Sequence, residues 1–226
     1  LIRTLRESVN VERRGHDVTE LMNLGARGQA GRPAADVERW ARTIFAKEIA
    51  EMMYPDSRVL IEAHLRKNHT VVVASSATRP QIQATADDLG IDHILCTELA
   101  ADDAGRYPGE LASPIRWGEG KSDAVLDFAE AHDIDLDESF GYSNGSEDVP
   151  FLETVGRPCA LNPDDELVEL SAARQWPVAR LQEARSTGLV DVVRSSAALG
   201  VFAGSVGAAS ALAVLNRSRS LGANVA

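Results

Sequence analysis

Between residues 36 and 53 the apolar positions are Val37, Trp40, Ala41, Ile44, Phe45, Ile49 and Met52, a spacing that lines one face of a helix. No strand pattern precedes Val71, so residues 1–55 read as a helical unit. Tyr54-Pro55-Asp56 interrupts it, because a proline biases the residue before it away from helix. Beyond this break, helical stretches alternate with short β-rich runs. The pattern predicts helices over 57–67, 80–89, 121–132 and 148–155, and strands over 69–75, 91–96, 139–143 and 157–161. The TVVVA centre of the first strand is too apolar for an exposed edge. Such alternation predicts an α/β fold, a parallel sheet with helices on both faces. Residues 99–118 carry Gly, Pro, Tyr and Trp and read as a small hairpin or flap.

The tail breaks this rhythm. Residues 195–216, SSAALGVFAGSVGAASALAVLN, contain no charge, with Arg194 before them and Arg217 and Arg219 after. The length suits a membrane span of about 20 residues, and Gly200 and Gly204, spaced as G-x-x-x-G, suit close helix packing. Ala, Gly and Ser make the stretch only weakly hydrophobic. Three readings follow: a span, interfacial membrane contact, or a helix covered by protein outside the chain. The chain thus divides into a helical region (1–55), an α/β core (56–190) and an apolar helical linker or membrane-associated tail (191–226).

Composition narrows the partners. The 226 residues are 44% hydrophobic, enough for one sizeable core and a smaller unit. Lys and Arg number 23 against 34 Asp and Glu, a net charge of −11, which argues against general nucleic-acid binding because that depends on neutralising phosphates. A single Lys in a cleft can still hold a phosphate locally. Cys96 and Cys159 have no metal-type spacing and read as thiols in a reducing compartment. The chain opens on Leu with no signal-peptide pattern, so it reads as a piece of a longer or processed protein.

Three segments carry candidate chemistry: VVVASSATR (71–79), WGEGKSDAV (117–125) and GYSNGSEDVPFLETVGRPCALN (141–162). Ser75 and Ser76 end a buried strand, where hydroxyls and the following N–H groups can hold an oxyanion, or simply cap the next helix. Lys121 opens a helix, a position its charge disfavours, so it either points at an anion or is a solvated surface Lys. Asn144 and Asp148 flank a strand-to-helix loop, with Glu147 as an outward neighbour. Asp148 alone could be a helix cap. Beyond the carboxyl ends of strands, where open α/β sheets bind ligands, oxygen ligands suit a hard cation such as Mg²⁺. The order of hydroxyl, lysine and acidic loop points to a phosphate-and-magnesium site. The five histidines show no zinc spacing, Asp133–Asp137 lacks the Gly and Glu of a calcium loop, and there is no P-loop or nucleophile elbow.

Together these segments resemble the haloacid dehalogenase-like (HAD) superfamily of phosphohydrolases, in the phosphoserine-phosphatase-like branch with a helical cap. The likeness covers about residues 40–180. It implies a three-layer Rossmann-like core and a Mg²⁺-dependent phosphomonoesterase acting on a small-molecule phosphate monoester. Ser75 matches the phosphate-binding hydroxyl, Ser76 its neighbour, Lys121 the phosphate lysine, and Asn144 and Asp148 the two positions near magnesium. Residues 1–54 would be the cap. The family's first motif, a strand ending in Asp-x-Asp-x-Thr that supplies the nucleophile, is not found in the chain, so the resemblance places that Asp upstream of Leu1 or absent from the protein. Asn144 stands where the family has Asp. LASPIRWGEGK, YSNGSEDVPFLE and the tail further resemble an actinobacterial type fused to a downstream 1-acylglycerol-3-phosphate acyltransferase, which implies phospholipid biosynthesis in the cytoplasm at the inner face of the membrane. The rival expectation is a catalytically inactive module that scaffolds or regulates the fused acyltransferase. A phosphate-binding sensor without turnover is a third.

Overall fold

The structure is a computed structural model and describes residues 18–181 and 210–217. Helix α1 (Val18–Arg27) leads to α2 (Ala34–Ile44), which runs on through a π turn (Phe45–Ile49) and a 3₁₀ turn (Ala50–Met52). The single helix expected over 36–53 is therefore regular only to Ile44. Pro55 sits at the first turn of α3 (Pro55–Leu65), where its missing N–H costs nothing. Strand β1 (Thr70–Thr78) follows, then α4 (Arg79–Leu89) and β2 (His93–Thr97). Gly90 ends α4 in the left-handed region at φ 67°.

The C-terminal half holds α5 (Glu119–His132), β3 (Ile134–Ser143), a 3₁₀ turn (Ser146–Asp148), the short α6 (Val149–Leu152) and β4 (Arg157–Leu161). Next come α7 (Asp165–Arg174), the two-residue β5 (Val178–Ala179) and β6 (Ser210–Arg217). The strand expected over 139–143 starts earlier, at Ile134. The helix expected over 148–155 is one short turn. Helix α7, capped by Asp164 through the Leu167 amide at 2.6 Å, was not expected.

The sheet order is β2-β1-β6-β3-β4-β5. Pairs β1–β2, β3–β4 and β4–β5 are parallel, as the alternation predicts. The middle strand is not: β6 runs antiparallel to both β1 and β3. This corrects the helical reading of the tail for residues 210–217. Residues 195–209 lie outside the described residues, and among those described no helix is long and apolar enough to cross a membrane.

Two clusters sandwich the sheet. Val71 and Val73 of β1 pack with Ile61, Ile82 and Ile91 on one side. Val72 and Ala74 pack with Val125, Phe151, Leu152 and Leu167 on the other. Strand β1 is thus covered on both faces, which is why its apolar residues run continuously instead of alternating.

Residues 99–118 do form a hairpin, with Leu99 bridged to Leu111. Its tip is clasped to the N-terminal helices. Gly31 N–H donates to the Tyr107 carbonyl (2.8 Å), Tyr107 N–H to Arg32 (3.0 Å) and Ala34 N–H to Gly105 (2.9 Å). Tyr107 is buried with Val37 and Ala41 beneath this clasp.

Candidate functional site

The candidate residues gather at the carboxyl ends of β1 and β3. Ser75 is fully buried and level with Cys96 of β2 and Ser210 of β6. Tyr142 of β3 stands level with Leu212 on the far side of β6. The ends of β1 and β3 are therefore two strand spacings apart, about 10 Å.

The register between β1 and β2 slips after Ser75, so that the next pair is Thr78 with Thr97. This irregularity tucks the Ser75 hydroxyl beneath the turn, where it accepts from the Ala77 amide at 3.2 Å. Ser76 is buried beside it. Neither serine caps α4. That role falls to Thr78, which forms a capping box with Gln81.

Lys121 is not a surface residue. It lies in the first turn of α5, and neither its side chain nor that of Asp148 has any exposure. Its Nζ meets Asp148 Oδ1 at 2.5 Å, and the Ser143 hydroxyl donates to Asp148 Oδ2 at 2.5 Å. One carboxylate thus joins the end of β3 to the start of α5. A lysine at a helix N-terminus opposes the macrodipole, and the buried carboxylate offsets that cost.

Local backbone makes this approach possible. Gly118, ahead of the helix, has φ +52°, a region that favours glycine. A Cβ on Gly120 would collide with the Ile115 carbonyl, so only glycine lets the loop fold this tightly against α5.

The acidic loop divides its duties. Asp148 has both oxygens turned inward. Asn144 is exposed, and its backbone carbonyl accepts from the Asp164 amide at 2.9 Å. Glu147 is half-buried, and burial pushes its carboxyl above the usual range, with the Asp148 charge adding to the effect and Lys121 opposing it. Among the described residues no three of His, Cys, Asp and Glu gather as a metal would need. The two expected magnesium residues differ in setting: Asn144 offers an exposed amide oxygen, and Asp148 is buried against Lys121 and Ser143.

The structure thus brings Lys121 and Asp148 into contact and sets Ser75, Ser76 and Asn144 on the same rim. Sequence reasoning missed Ser143, whose hydroxyl completes the Asp148 contacts, and Arg116, whose amide is held by the Thr97 hydroxyl at 3.2 Å. A serine one residue before Asn144 carries no pattern that distinguishes it from any strand-end serine.

The family description "haloacid dehalogenase-like hydrolase" matches residues 3–153. A Mycobacterium tuberculosis protein named a phosphoserine phosphatase is 34% identical over 179 residues, 79% of this chain and 57% of its own length. The "inhibition of morphological differentiation protein" of Streptomyces azureus is 33% identical over 130 residues, 58% of this chain and 47% of its own. The chain thus spans about half the length of these curated relatives. A Bordetella pertussis crystal structure of unknown function shares the fold, with a TM-score of 0.64 at 24% identity over 76% of this chain and 82% of that one.

Proposed function

Since the chain belongs to the haloacid dehalogenase-like hydrolase family, we propose that it supplies the phosphate-holding part of a phosphomonoesterase. The observation that carries this reading is the buried Lys121–Asp148–Ser143 array at the carboxyl ends of the strands. Lys121 stabilises charge on the phosphoryl oxygens, Ser75 and Ser76 give one oxygen hydroxyl and amide donors, and Asp148 fixes the lysine. Relatives named as phosphatases support the same reading.

Ser75, Lys121 and Asp148 are all buried in this structure. Asp148 is tied to Lys121 and Ser143, and the attack on phosphorus is assigned to an aspartate upstream of Leu1, which would form an aspartyl-phosphate that water then hydrolyses. Magnesium belongs to the same proposal: Asp148 and Asn144 would hold it together with upstream carboxylates, and it would neutralise charge on the phosphoryl oxygens.

The fused acyltransferase, a role in phospholipid biosynthesis and membrane contact through the apolar run ahead of β6, residues 195–209, complete the proposal for the parent protein. One observation favours the inactive scaffold instead, namely the uncharged Asn144 on the rim. Isothermal titration of the 226-residue chain with inorganic phosphate, and assay of the parent protein on phosphate monoesters with and without Mg²⁺, separate the two. Phosphate binding that Ser75→Ala weakens, together with Mg²⁺-dependent turnover, supports the enzyme. Binding without turnover leaves the scaffold or sensor, and no binding refutes the phosphate site.

A further inference from the structure

A cavity of about 310 Å³ lies on the α3–α4 side of the sheet and reaches the rim of the candidate site. Its floor belongs to the core: Ile61, Val73, Ile82 and Ile91 line it and are buried. Helix α3 adds Leu60 to its wall, and α4 adds Thr85. Its mouth is at the carboxyl end of β3, where the buried Ser143 and the exposed Asn144 line it. Ser143 is the residue whose hydroxyl holds Asp148, so the cavity and the phosphate-holding array share a wall. Nearby, Asn162 fixes Leu181 as a further part of the lining, accepting from its amide at 2.8 Å and donating to its carbonyl at 3.4 Å.

The lining selects by charge. None of the described residues around the cavity is Asp, Glu, Lys, Arg or His. Tyr142 offers it a ring, because its hydroxyl is bound to His64 at 3.0 Å. A charged group placed there would be buried without a counter-ion, which is costly, whereas apolar surface gains by leaving water. A cavity of about 150 Å³ holds benzene, so this one has room for a chain of about six to eight carbons. Ser143 and Asn144 belong to both the rim and the cavity, so an ester held at the rim has its carbon side next to the mouth. We infer that the cavity receives the alcohol part of the phosphate monoester, with the phosphoryl group at the rim and an uncharged aliphatic chain running past Asn144 toward Val73 and Ile82. This rests on the phosphate reading above. It narrows the substrate class to phosphate esters of apolar alcohols and disfavours those whose alcohol carries an amine or a carboxylate.

Ethyl, butyl and hexyl phosphate, each titrated calorimetrically into the 226-residue chain beside phosphoserine, test it. Affinity should rise about 3-fold with each added methylene, and phosphoserine should bind no tighter than ethyl phosphate. Thr85→Phe and Leu60→Phe fill the cavity from two different helices, and neither residue belongs to the phosphate-holding array. Each should flatten the series and leave ethyl phosphate affinity unchanged, and one folded variant of the two is enough. Hexan-1-ol, a chain without a phosphate, tests the cavity without any substitution: it should weaken the binding of hexyl phosphate and not that of ethyl phosphate. Equal wild-type affinities across the series overturn the proposal, because the alcohol then faces solvent or the chain beyond Leu181 already fills the cavity. A series that stays as steep in a folded filling variant, or that hexan-1-ol leaves untouched, also overturns it, because the chain then binds elsewhere. In each of these cases ethyl phosphate still binds and the phosphate reading stands. If neither ethyl phosphate nor inorganic phosphate binds the wild-type chain, the phosphate reading itself fails and takes this one with it.

Discussion

Replacing Lys121 by methionine is the sharpest test of the site's construction. Neither Lys121 nor Asp148 has any exposed side-chain surface, and Nζ to Oδ1 is 2.5 Å. Methionine fills much of the lysine stem's volume, so the change removes charge more than packing. It leaves Asp148 buried as an anion with the Ser143 hydroxyl still donating to it. Stranding one member of a buried pair costs about 3–5 kcal/mol, a large share of the roughly 5–15 kcal/mol that holds a typical domain together. The double variant Lys121→Met/Asp148→Leu should recover most of that loss, because two apolar residues need no counter-charge. It still leaves the Ser143 hydroxyl without its acceptor, at a cost of about 1–3 kcal/mol. Urea unfolding of the wild type, both single variants and the double closes the cycle. The double should be clearly more stable than Lys121→Met, and it should bind no inorganic phosphate. Two results would refute the reasoning: a single variant costing under about 1 kcal/mol, or a double whose loss equals the sum of the singles. Either would mean that the pair is not desolvated in solution.

Two further predictions concern the surroundings. His64 is buried, with Nε2 at 3.0 Å from the Tyr142 hydroxyl and Nδ1 at 2.9 Å from His69 Nδ1, and burial, aided by the charges of His69 and Lys67, lowers its pKa from 6.5 to about 4. The unfolded chain therefore takes up the proton first. The contribution is complete above pH 6.5 and is lost as the pH falls toward about 4, on the order of 2–3 kcal/mol by linkage. His64→Gln should flatten the stability–pH slope in that window, and an unchanged slope would show that His64 is not held neutral. Gly120→Ala places a methyl against the Ile115 carbonyl; phosphate affinity should fall by at least about 10-fold as Lys121 is displaced, and unchanged affinity in calorimetry would show that the loop yields without moving the lysine.

What could be read in the residues, and what could not, follows from the range of the interactions. Strand β1 was legible because its covered faces demand a continuous apolar run, and α4 because Pro80 and Gly90 bracket it. The site's members were legible as an order of types along the chain, and Lys121 and Asp148 do meet although 27 residues separate them. Their burial was not legible: a lysine in a first turn looks the same in water and in a core. Helix α7 had a signal in Asp164 followed by Leu167, an acidic cap three residues before a core residue, and that signal went unread. The partnership of Thr97 with Arg116 is a contact across a hairpin stem, which no local pattern encodes.

The tail shows the same limit with a practical consequence. In a run of Ala, Val, Leu, Gly and Ser without charges, neither a period of 2 nor one of 3.6 stands out, so a buried strand and a helix cannot be told apart by pattern. Residues 210–217 form a strand that pairs with β1 from Thr70↔Leu215 to Ser75↔Ser210, and with β3 from Ile134↔Arg217 to Tyr142↔Leu212. Deleting 195–226 to ask whether the tail anchors a membrane would therefore also unpair the middle of the sheet, and an altered partition would then report unfolding as readily as a lost anchor. The clean perturbation is charge placed upstream of the strand, as in Val201→Lys with Phe202→Lys, which leaves the paired residues intact. If that variant keeps the wild-type urea midpoint yet leaves the membrane fraction of the parent protein, the apolar run is the anchor. If its partition is unchanged, the run's contribution is the sheet alone.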